Sequence, residues 1–538
     1  MTTLAHSGNL VSQDPREVGR WDVLSYKSQV ESIHMALLLT GKVLYYSGFR
    51  YAEAVKTETR LWYPKTGEIK APSTPGDIFC AGHSFLPDGR LLSTGGTLEY
   101  RNPPPLPPWL VRLLRPLSPT IVHNFERFVK NKPTFTGTTF LYLFDPEAEQ
   151  WEFASDMVEG RWYPTNTTLP DGRIMILSGS NQGGGFGSGG GIKTNMRLEV
   201  YHAEEGIKQV ATIPEMNAQD GDTANPSRFP SLYPRMHVLP LSEKEKDKYP
   251  AGKVFYSGYG PETKMLDLHT WEWTDVSRLK FGLRHDGCAV LLPLRPPDYR
   301  ARVLTFGGSQ QPGMETRATE TAEMIDFGQT SPSWEWVDSM QEKRAHACSV
   351  LLPDGKVLAV GGVGTALFDD PVTDVEVFDP DEQKWRLVAP ITVPRGYHAV
   401  AILLPDGRVV SSGTTPFGKY ELRMEVYSPY YLFKGPRPQI REAPPSLAYG
   451  QSFEVAYEHA GRVNSVVLIR PGAMTHAFDM NQRYVELEAH EQGPTRLAVR
   501  APRDAHVAPP GYYMLFLLSE DGVPSEAEFV HLPIPSLI

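Results

Sequence analysis

One sequence frame recurs along this chain and constrains its fold more than any other feature. Four copies end in a Leu-Pro-Asp-Gly turn, as in FCAGHSFLPDG, RWYPTNTTLPDG and GYHAVAILLPDG. One strand precedes the turn, and a second strand that ends in small residues follows it, which is the pattern of a β-hairpin. The second strand occurs seven times, at residues 41–48, 89–96, 172–179, 252–258, 301–308, 355–362 and 407–413.

Each copy of this frame leads into further strands, such as TFLYLFDP and VEVFDP. Several copies then close on a strand that carries a tryptophan, namely Trp151, Trp273, Trp336 or Trp385. Four strands per unit and a length of roughly 50 residues are typical of kelch-type blades. The sequence therefore predicts an all-β fold in which residues 20–430 form a seven-bladed kelch-type β-propeller, preceded by an N-terminal extension at residues 1–19.

The composition changes after residue 435. Short alternating strands such as EVAYEHA, SVVLIRPG and GYYMLFLLSEDG follow one another at near-regular spacing. This pattern predicts a C-terminal Ig-like β-sandwich over residues 435–538. The segment RPGAMTHAFDMNQR, which contains His476, lies between two of its strands.

Two stretches interrupt the period of the propeller. Residues 102–135 are rich in proline and are interpreted as an insertion that lies over one face. Residues 180–191 are rich in glycine and contain a GxGxxG pattern at Gly185, Gly187 and Gly190. Because no helix pattern follows, we predict a loop at the mouth of the propeller and no dinucleotide site.

Composition excludes several classes of partner. The net charge is −10 and the charges are interspersed, so nucleic acid is not an expected partner. No apolar run has the length of a membrane span. The first residues also lack the pattern of a secretory signal, which indicates either a cytoplasmic protein or export by a route that the sequence does not show.

The chain has three cysteines, which do not suggest a disulfide framework. Cys288 and Cys348 are interpreted as small buried core residues. Cys80 differs because it lies seven residues before the proline of its turn. Five copies of the frame carry a reactive side chain at this position, namely Cys80, Tyr163, Tyr233, His346 and His398.

Equivalent positions in a propeller surround one central axis, so these side chains are expected to approach one another. Thiols, phenols and imidazoles are metal ligands, and the pattern therefore favours a metal site. In the alternative interpretation, the same residues cap strand ends and form hydrogen bonds between blades.

At these residues the chain resembles the copper radical oxidases, the galactose oxidase and glyoxal oxidase group. The family's Phe-Cys segment is matched at Cys80, and its Arg-Xaa-Tyr segment at Tyr163. Its Tyr-His pair on the last blade is matched by Tyr397 and His398, and its Thr-His loop by His476. The resemblance covers nearly the whole chain.

The resemblance implies one copper ion, held by Tyr163, Tyr397, His398 and His476. It also implies a thioether between Cys80 and the ring of Tyr163, which stores an oxidising equivalent as a radical. Tyr397 is expected to accept the hydroxyl proton of the substrate. The implied reaction is the two-electron oxidation of a small aldehyde or primary alcohol, with reduction of O2 to H2O2.

One position departs from galactose oxidase, in which a tryptophan shields the thioether. Asn181 occupies the matching place here, and we name Trp162 as the candidate replacement. This departure favours a glyoxal-type aldehyde or a simple primary alcohol over galactose. Candidates for substrate contacts, each with a structural role as the alternative, are Arg161, Tyr233, Arg235 and Arg395.

Two other functions remain open from the sequence. The first is a non-catalytic propeller that binds carbohydrate or protein and keeps the ligand residues by descent. The second is a zinc hydrolase, which is disfavoured because no Asp or Glu accompanies the histidines in the motifs. The expected partners are a small-molecule substrate and O2, and the expected assembly is a monomer.

Overall fold

The computed structural model describes residues 12–47, 58–100, 134–184, 193–213, 232–310, 317–365, 370–414, 421–458 and 461–535. About half of these residues are in β-strands. Two short helices are α1 (Pro15–Val18) and α2 (Glu243–Lys246), and Tyr430–Phe433 forms one 3₁₀ turn. None of the helices in these ranges has the length and apolar character needed to cross a membrane.

The strands that precede the last domain are numbered along the chain. The first fourteen are β1 (Arg20–Lys27), β2 (His34–Leu37), β3 (Val43–Tyr46), β4 (Thr59–Trp62), β5 (Ile69–Lys70), β6 (Gly82–Phe85), β7 (Leu91–Thr94), β8 (Thr97–Tyr100), β9 (Thr134–Asp145), β10 (Gln150–Thr168), β11 (Ile174–Gly184), β12 (Lys193–Thr194), β13 (Arg197–His202) and β14 (Gly206–Thr212). The next fifteen are β15 (Met236–Leu239), β16 (Lys253–Tyr256), β17 (Glu262–Asp267), β18 (Trp273–Arg278), β19 (Cys288–Leu291), β20 (Arg302–Phe306), β21 (Ala322–Asp326), β22 (Trp334–Trp336), β23 (Cys348–Leu351), β24 (Val357–Val360), β25 (Val375–Asp379), β26 (Lys384–Val388), β27 (Val400–Leu403), β28 (Val409–Ser412) and β29 (Arg423–Ser428).

These strands form seven antiparallel blades. Blade 1 is β2-β3-β4-β5, blade 2 is β6-β7-β9 with the first half of β10, and blade 3 is the second half of β10 with β11-β13-β14. Blades 4, 5 and 6 are β15 to β18, β19 to β22 and β23 to β26. The sequence analysis predicted a strand after each turn, and each of these predictions overlaps the observed second strand of a blade over all or most of its length. The predicted kelch-type propeller is therefore confirmed.

Blade 7 combines strands from both ends of the propeller, in the order β1-β29-β28-β27. Arg20 pairs with Ser428 and Val23 with Glu425, so the first strand of the chain supplies the outer strand of the last blade. This pairing holds the N-terminal part of the propeller against the last blade, and it covers the edge of β29, so that β1 is the outer strand.

One part of the glycine-rich stretch differs from the prediction. Ser180–Gly184 was expected in a loop, but these residues continue β11. The reason is backbone pairing, because Ser180 lies opposite Thr194 and Gln182 lies opposite Lys193. Residues 185–192, which contain the GxGxxG pattern, and residues 102–133 of the predicted insertion lie outside the described residues.

The C-terminal strands form the predicted sandwich. They are β30 (Gln439–Glu442), β31 (Ser452–Glu458), β32 (Val463–Ile469), β33 (Ala473–Thr475), β34 (Phe478–Asp479), β35 (Tyr484–Leu487), β36 (Ala489–Glu491), β37 (Arg496–Arg500), β38 (Gly511–Ser519) and β39 (Glu528–Leu532). One sheet is β30-β31-β37-β36 and the other is β35-β32-β38-β39. Apolar residues from both sheets, including Val455, Leu468 and Leu515, are buried in a common core.

Strands β33 and β34 leave the sandwich and join the propeller. Their hairpin extends blade 1, because β33 pairs with β2, which is the inner strand of that blade. Thr475 lies opposite His34, and Ala473 lies opposite Ala36. The C-terminal domain therefore inserts a hairpin among the inner strands, where the propeller has its axis.

Candidate metal centre

Six blades carry a residue in the left-handed backbone region at the position seven residues before the turn proline. The φ angles lie between 44° and 66° for Cys80, Tyr163, Tyr233, Asp286, His346 and His398. Non-glycine residues rarely adopt this region, and they persist there when the surroundings hold them. Asp286 was missed in the sequence, although counting back seven residues from Pro293 identifies it.

Backbone hydrogen bonds between blades explain part of this geometry. The amide of Tyr163 donates to the carbonyl of Cys80 at 2.9 Å, and the amide of Tyr233 donates to the carbonyl of Tyr163 at 2.8 Å. The amide of His346 donates to the carbonyl of Asp286 at 2.9 Å. The left-handed turn thus aligns main-chain groups around the axis, and it satisfies polar groups that are buried there.

Four residues of this frame meet His476 on the axis. The polar side-chain atoms of Cys80, His398 and His476 lie within 4.8 Å of one another. The hydroxyl groups of Tyr163 and Tyr397 are 2.7 Å apart. The rings of Tyr163 and His398 each have their centroid 4.7 Å from the centroid of His476. The five residues that the sequence selected are therefore close together. Four of them are buried, and Tyr397 is partly exposed.

His476 reaches this place at the tip of the β33–β34 hairpin. Thr475 pairs with Phe478, so His476 and Ala477 are the two central residues of the turn. Their φ angles are 44° and 64°, which is the conformation of a type I′ turn. Such turns favour Asn and Gly, so a His-Ala pair here indicates that function and not turn propensity selected His476.

Thr475 determines which ring nitrogen of His476 faces the other side chains. Its hydroxyl donates to the carbonyl of Ile33 at 3.0 Å, and it lies 2.6 Å from Nδ1 of His476. Because the hydroxyl proton is used by Ile33, Nδ1–H of His476 is the donor to Thr475. The lone pair is then on Nε2, which lies 3.8 Å from Sγ of Cys80.

Burial controls the charge of these groups. It lowers the pKa of His398 to about 3, and it lowers the pKa of His476 well below the ordinary range, with neighbouring histidines adding to the effect. It also raises the pKa of Tyr163 and of Cys80 well above their ordinary values. Both imidazoles are therefore neutral and keep a lone pair, which is the state that binds a metal cation.

Cys80 lies next to Tyr163 and Trp162. Its thiol is within hydrogen-bonding reach of both side chains. Its amide donates to Nε2 of His34 at 3.1 Å. The ring of Trp162 lies against the ring of Tyr163, with 3.9 Å between centroids and an angle of 54° between planes.

Asn181, at the place where galactose oxidase has its shielding tryptophan, points elsewhere. Its amide donates to Glu159 at 2.8 Å. The aromatic ring beside Cys80 and Tyr163 is instead that of Trp162, which is 3 % exposed.

The residues predicted to contact substrate have different surroundings. Arg161 is fully buried, and it pairs with Glu199 at 2.6 Å and donates to the carbonyl of Ser178. Arg395 is also fully buried and donates to the carbonyls of Gly413 and Arg423. Arg284 and Arg344 make corresponding buried pairs with glutamates. These arginines hold strands together within blades, which favours the structural alternative for Arg161 and Arg395.

Arg235 and Tyr233 lie nearer to the axis. Arg235 is fully buried, and its Nη2 donates to the carbonyl of His476 at 3.1 Å and to the hydroxyl of Tyr259 at 2.9 Å. The hydroxyl of Tyr233 donates to the carbonyl of Ala81 at 3.0 Å, while its ring packs on Tyr163 and His476. Both residues therefore support the ligand side chains.

The opposite part of the ring holds a group that the sequence did not reveal. Asp286 lies 2.5 Å from Nδ1 of His285 and 3.3 Å from Nε2 of His346. Burial acts to raise the pKa of Asp286, but His285, His346 and Arg235 outweigh it and hold that pKa below the ordinary value. The ring of His346 also contacts Tyr397, with 4.9 Å between centroids.

The fold and these side chains define a propeller protein whose last domain completes a buried site on the axis. The family model described as "Glyoxal oxidase N-terminus" matches residues 282–431, and "Galactose oxidase-like, Early set domain" matches residues 437–532. An aldehyde oxidase GLOX of Vitis pseudoreticulata is 29% identical over 502 residues, which cover 87% of this chain and 84% of that protein. A galactose oxidase of Gibberella zeae is 27% identical over 524 residues, which cover 92% and 67% of the two chains.

A solved structure has the same fold. A fungal alcohol oxidase in complex with copper superposes with a TM-score of 0.75 at 24% identity, and the match covers 96% of this chain and all of that one. The chain is therefore similar over most of its length to galactose oxidases and glyoxal-type aldehyde oxidases, and the resemblance inferred from its motifs is confirmed.

Proposed function

We propose that this chain is a mononuclear copper radical oxidase. It oxidises a small aldehyde or a primary alcohol by two electrons and reduces O2 to H2O2. One observation carries the proposal, namely the convergence of five side chains on the propeller axis. They are Cys80, Tyr163, Tyr397, His398 and His476.

The donor set fits copper. Two neutral imidazoles and two phenol oxygens are the nitrogen and oxygen ligands that suit tetragonal Cu(II). The 2.7 Å between the hydroxyls of Tyr163 and Tyr397 is close to the separation of two adjacent ligands on one metal. No carboxylate is part of the group that brings Cys80 and the two histidines together in the described residues, which disfavours the zinc hydrolase alternative.

The protein side chains have separate tasks in the reaction. When bound, copper supplies one-electron chemistry, a place for the substrate oxygen and a reaction partner for O2. Tyr397 accepts the hydroxyl proton of the substrate, and Tyr163 receives the hydrogen atom from the substrate carbon. His398 and His476 hold the metal, and Thr475 keeps the Nε2 lone pair of His476 in position.

A thioether between Sγ of Cys80 and the ring of Tyr163 is the second part of the proposal. The thiol of Cys80 is within hydrogen-bonding reach of the Tyr163 side chain. A sulfur atom near the phenol oxygen is also near the ring carbon adjacent to the carbon that carries the hydroxyl, and the proposed C–S bond forms at that ring carbon. Forming the C–S bond breaks one S–H and one C–H bond. The two protons and two electrons go to O2, which becomes H2O2. Trp162 covers the resulting group in place of a residue at Asn181.

The substrate class follows from the lining of the site. Trp162 and Tyr233 place aromatic rings beside Tyr163, whereas Arg161 and Arg395, which were candidates for substrate contacts, are buried inside blades. These features support a small substrate, such as a hydrated glyoxal-type aldehyde or a simple primary alcohol. They do not support a hexose.

The proposal is tested by intact mass and by peroxide release. After copper loading in air, the mass of the chain is expected to fall by two hydrogen atoms, and H2O2 is expected from glyoxal, methylglyoxal or a simple primary alcohol. Cys80→Ser should bind copper and keep its full mass, but it should lose most turnover. Cys288→Ser is the matched control, because Cys288 is an equally buried thiol in a different blade.

An unchanged mass, together with no peroxide from any substrate in the panel, would establish the alternative of a non-catalytic propeller that kept its ligand residues. Full activity in Cys80→Ser would refute the thioether while leaving the copper site in place.

A further inference from the structure

A small polar cavity lies at the base of the hairpin that carries His476. Its volume is about 20 Å³, and inner strands of blades 3, 4 and 5 meet the C-terminal domain there. The cavity is lined by Thr167, Thr168, Met236, His237, Val238, Leu291, Arg470, Met480, Asn481, Gln482, Arg483 and Pro509. No aspartate or glutamate is among these described lining residues.

Four lining residues each have a polar atom without a hydrogen-bond partner among the described residues. The atoms are Oγ1 of Thr167, Nδ1 of His237, Nε of Arg470 and Nη1 of Arg483. All four residues are more than nine-tenths buried, with exposures of 6 %, 2 %, 5 % and 3 %. Both guanidinium nitrogens are donors only, and the hydroxyl and imidazole can each act as donors.

The acceptors near the cavity are already used. Oε1 of Gln482 accepts the amide of Leu291 at 2.7 Å, and Oδ1 of Asn481 lies 3.4 Å from the hydroxyl of Ser84. The two arginine side chains donate to backbone carbonyls, Arg470 to that of Pro510 and Arg483 to that of Val238. The residues around the cavity therefore offer more hydrogen-bond donors than acceptors, and the cavity suits a group that accepts hydrogen bonds.

The charges of the lining side chains also favour an acceptor that is negatively charged. Burial lowers the pKa of Arg483 to about 10 and lowers that of Arg470, but both side chains stay protonated at neutral pH. Among the described residues, the carboxylate that acts on Arg470 is Asp479, whose own pKa burial raises to about 6. Two buried cations therefore share at most one negative charge, and buried charges without partners are costly.

We infer that this cavity is a binding site for one small monovalent anion, a halide such as chloride, held by Thr167, His237, Arg470 and Arg483. The volume suits a single particle close to the size of a water molecule and excludes sulfate or phosphate. A water molecule supplies an acceptor but no negative charge, so it satisfies the hydrogen bonds and leaves the two guanidinium charges uncompensated.

The position of the site gives the anion a structural task. Arg470 and Arg483 stand at the two ends of the segment that forms the hairpin, and their backbones are joined by a hydrogen bond of 3.0 Å from the amide of Arg470 to the carbonyl of Arg483. An anion that binds both side chains ties these ends together. Halide therefore stabilises the base of the segment that presents His476, whatever reaction the site on the axis performs.

Crystals of the copper-loaded protein soaked in sodium bromide provide the direct test. The anomalous signal of bromide is expected in the cavity, between Arg470 and Arg483. A cavity that holds only density without anomalous signal, as water does, would overturn the inference.

Thermal unfolding provides an independent measurement in solution. In sodium chloride or bromide, Tm is expected to lie about 2–4 °C above its value in sodium gluconate of equal ionic strength, since gluconate is too large for the cavity. The shift should disappear in Arg483→Met. An equal shift in wild type and in Arg483→Met would place the halide elsewhere and refute the site.

A milder pair of variants covers the case in which Arg483→Met does not fold. Thr167→Val removes one donor from the cavity, and Thr165→Val is its control, because Thr165 is on the same strand, is buried and also lacks a hydroxyl partner in the described structure, yet does not line the cavity. Thr167→Val should weaken the apparent affinity for bromide about five-fold. Identical affinities in the two variants would contradict the inference.

Discussion

The ring of left-handed residues on the propeller axis has two halves that share a backbone and differ in chemistry. Cys80, Tyr163 and His398 belong to one half, and Tyr233, Asp286 and His346 to the other. All six have φ between 44° and 66° and lie close to the axis. In the first half the side chains meet His476. In the second half the polar groups bond to other protein groups: the hydroxyl of Tyr233 donates to Ala81 even though its ring packs on His476, and Asp286 bonds to His285.

The two halves show that the repeat determines the backbone conformation, whereas the residue at each position determines the chemistry. The repeat provides a strained backbone position in six blades and hydrogen bonds that connect some of them. It does not determine which positions bind a metal, because His346 and His398 share the residue type as well as the backbone conformation. In the proposed site the hairpin makes that choice, because it places His476 beside both Tyr163 and His398.

The largest expected effect compares the two tyrosines of the ring. Tyr163→Phe should reduce turnover by more than about 10³-fold, because the residue that holds the second oxidising equivalent is lost. Tyr233→Phe removes a hydroxyl that donates to a carbonyl, and it should change turnover by less than about tenfold. Peroxide release from copper-loaded protein measures both. Similar losses of turnover in the two variants would contradict the proposal that the two halves of the ring have different roles.

The two histidines of the ring are compared through copper affinity. His398→Ala removes a proposed ligand and should weaken copper binding more than about 100-fold. This loss exceeds the roughly 10- to 100-fold that is typical when a residue supporting a ligand is changed. His346→Ala should leave the affinity within about tenfold. Competition titration with a chelator measures both constants, and circular dichroism checks that each variant is folded. A stronger loss in His346→Ala would move the metal to the other half of the ring.

Thr475 tests whether the hairpin orients His476. Thr475→Val removes the hydroxyl that fixes Nδ1, and it should weaken copper binding about 10- to 100-fold. Thr475→Ser keeps the hydroxyl and should restore most of the affinity. If the serine and valine variants bind copper equally, the hydroxyl does not set the tautomer.

Asp286 tests the second half of the ring, and the expected effect is on stability. The folded-state pKa of Asp286 lies below the ordinary 3.8, so its contribution is present above that value and is lost as the pH falls toward the folded-state pKa. Asp286→Asn should therefore cost about 1–3 kcal/mol at pH 7 and progressively less below about pH 4. Urea unfolding of both proteins at several pH values measures the difference. A constant difference would show that the charge of Asp286 is not involved.

Much of the fold was predictable because local signals recur. The Asp-Gly turns and the strands beside them marked the hairpins, and β24, for example, lies inside the predicted 355–362. The turn of blade 5 gave a weaker signal, because Pro293 is followed by Leu294 and not by Asp-Gly. Asp286 was missed there, although it occupies the same position as His346 in the next blade and lies seven residues before Pro293.

The site was predictable only where a motif named the residue. Tyr163 and His398 lie in sequence motifs, whereas the roles of Thr475 and His34 depend on contacts between distant parts of the chain. The hydroxyl of Thr475 bonds to Ile33, and His34 accepts the amide of Cys80. No local pattern predicts such contacts. They follow from the way the C-terminal domain inserts its hairpin beside β2.

That insertion also sets an order of events during biosynthesis. A chain leaves the ribosome from its N-terminus, so Cys80, Tyr163, Tyr397 and His398 exist before His476 is made. In the proposed site, a propeller without the C-terminal hairpin lacks one of the copper ligands. The proposed chemistry therefore waits until the hairpin has been made and inserted beside β2.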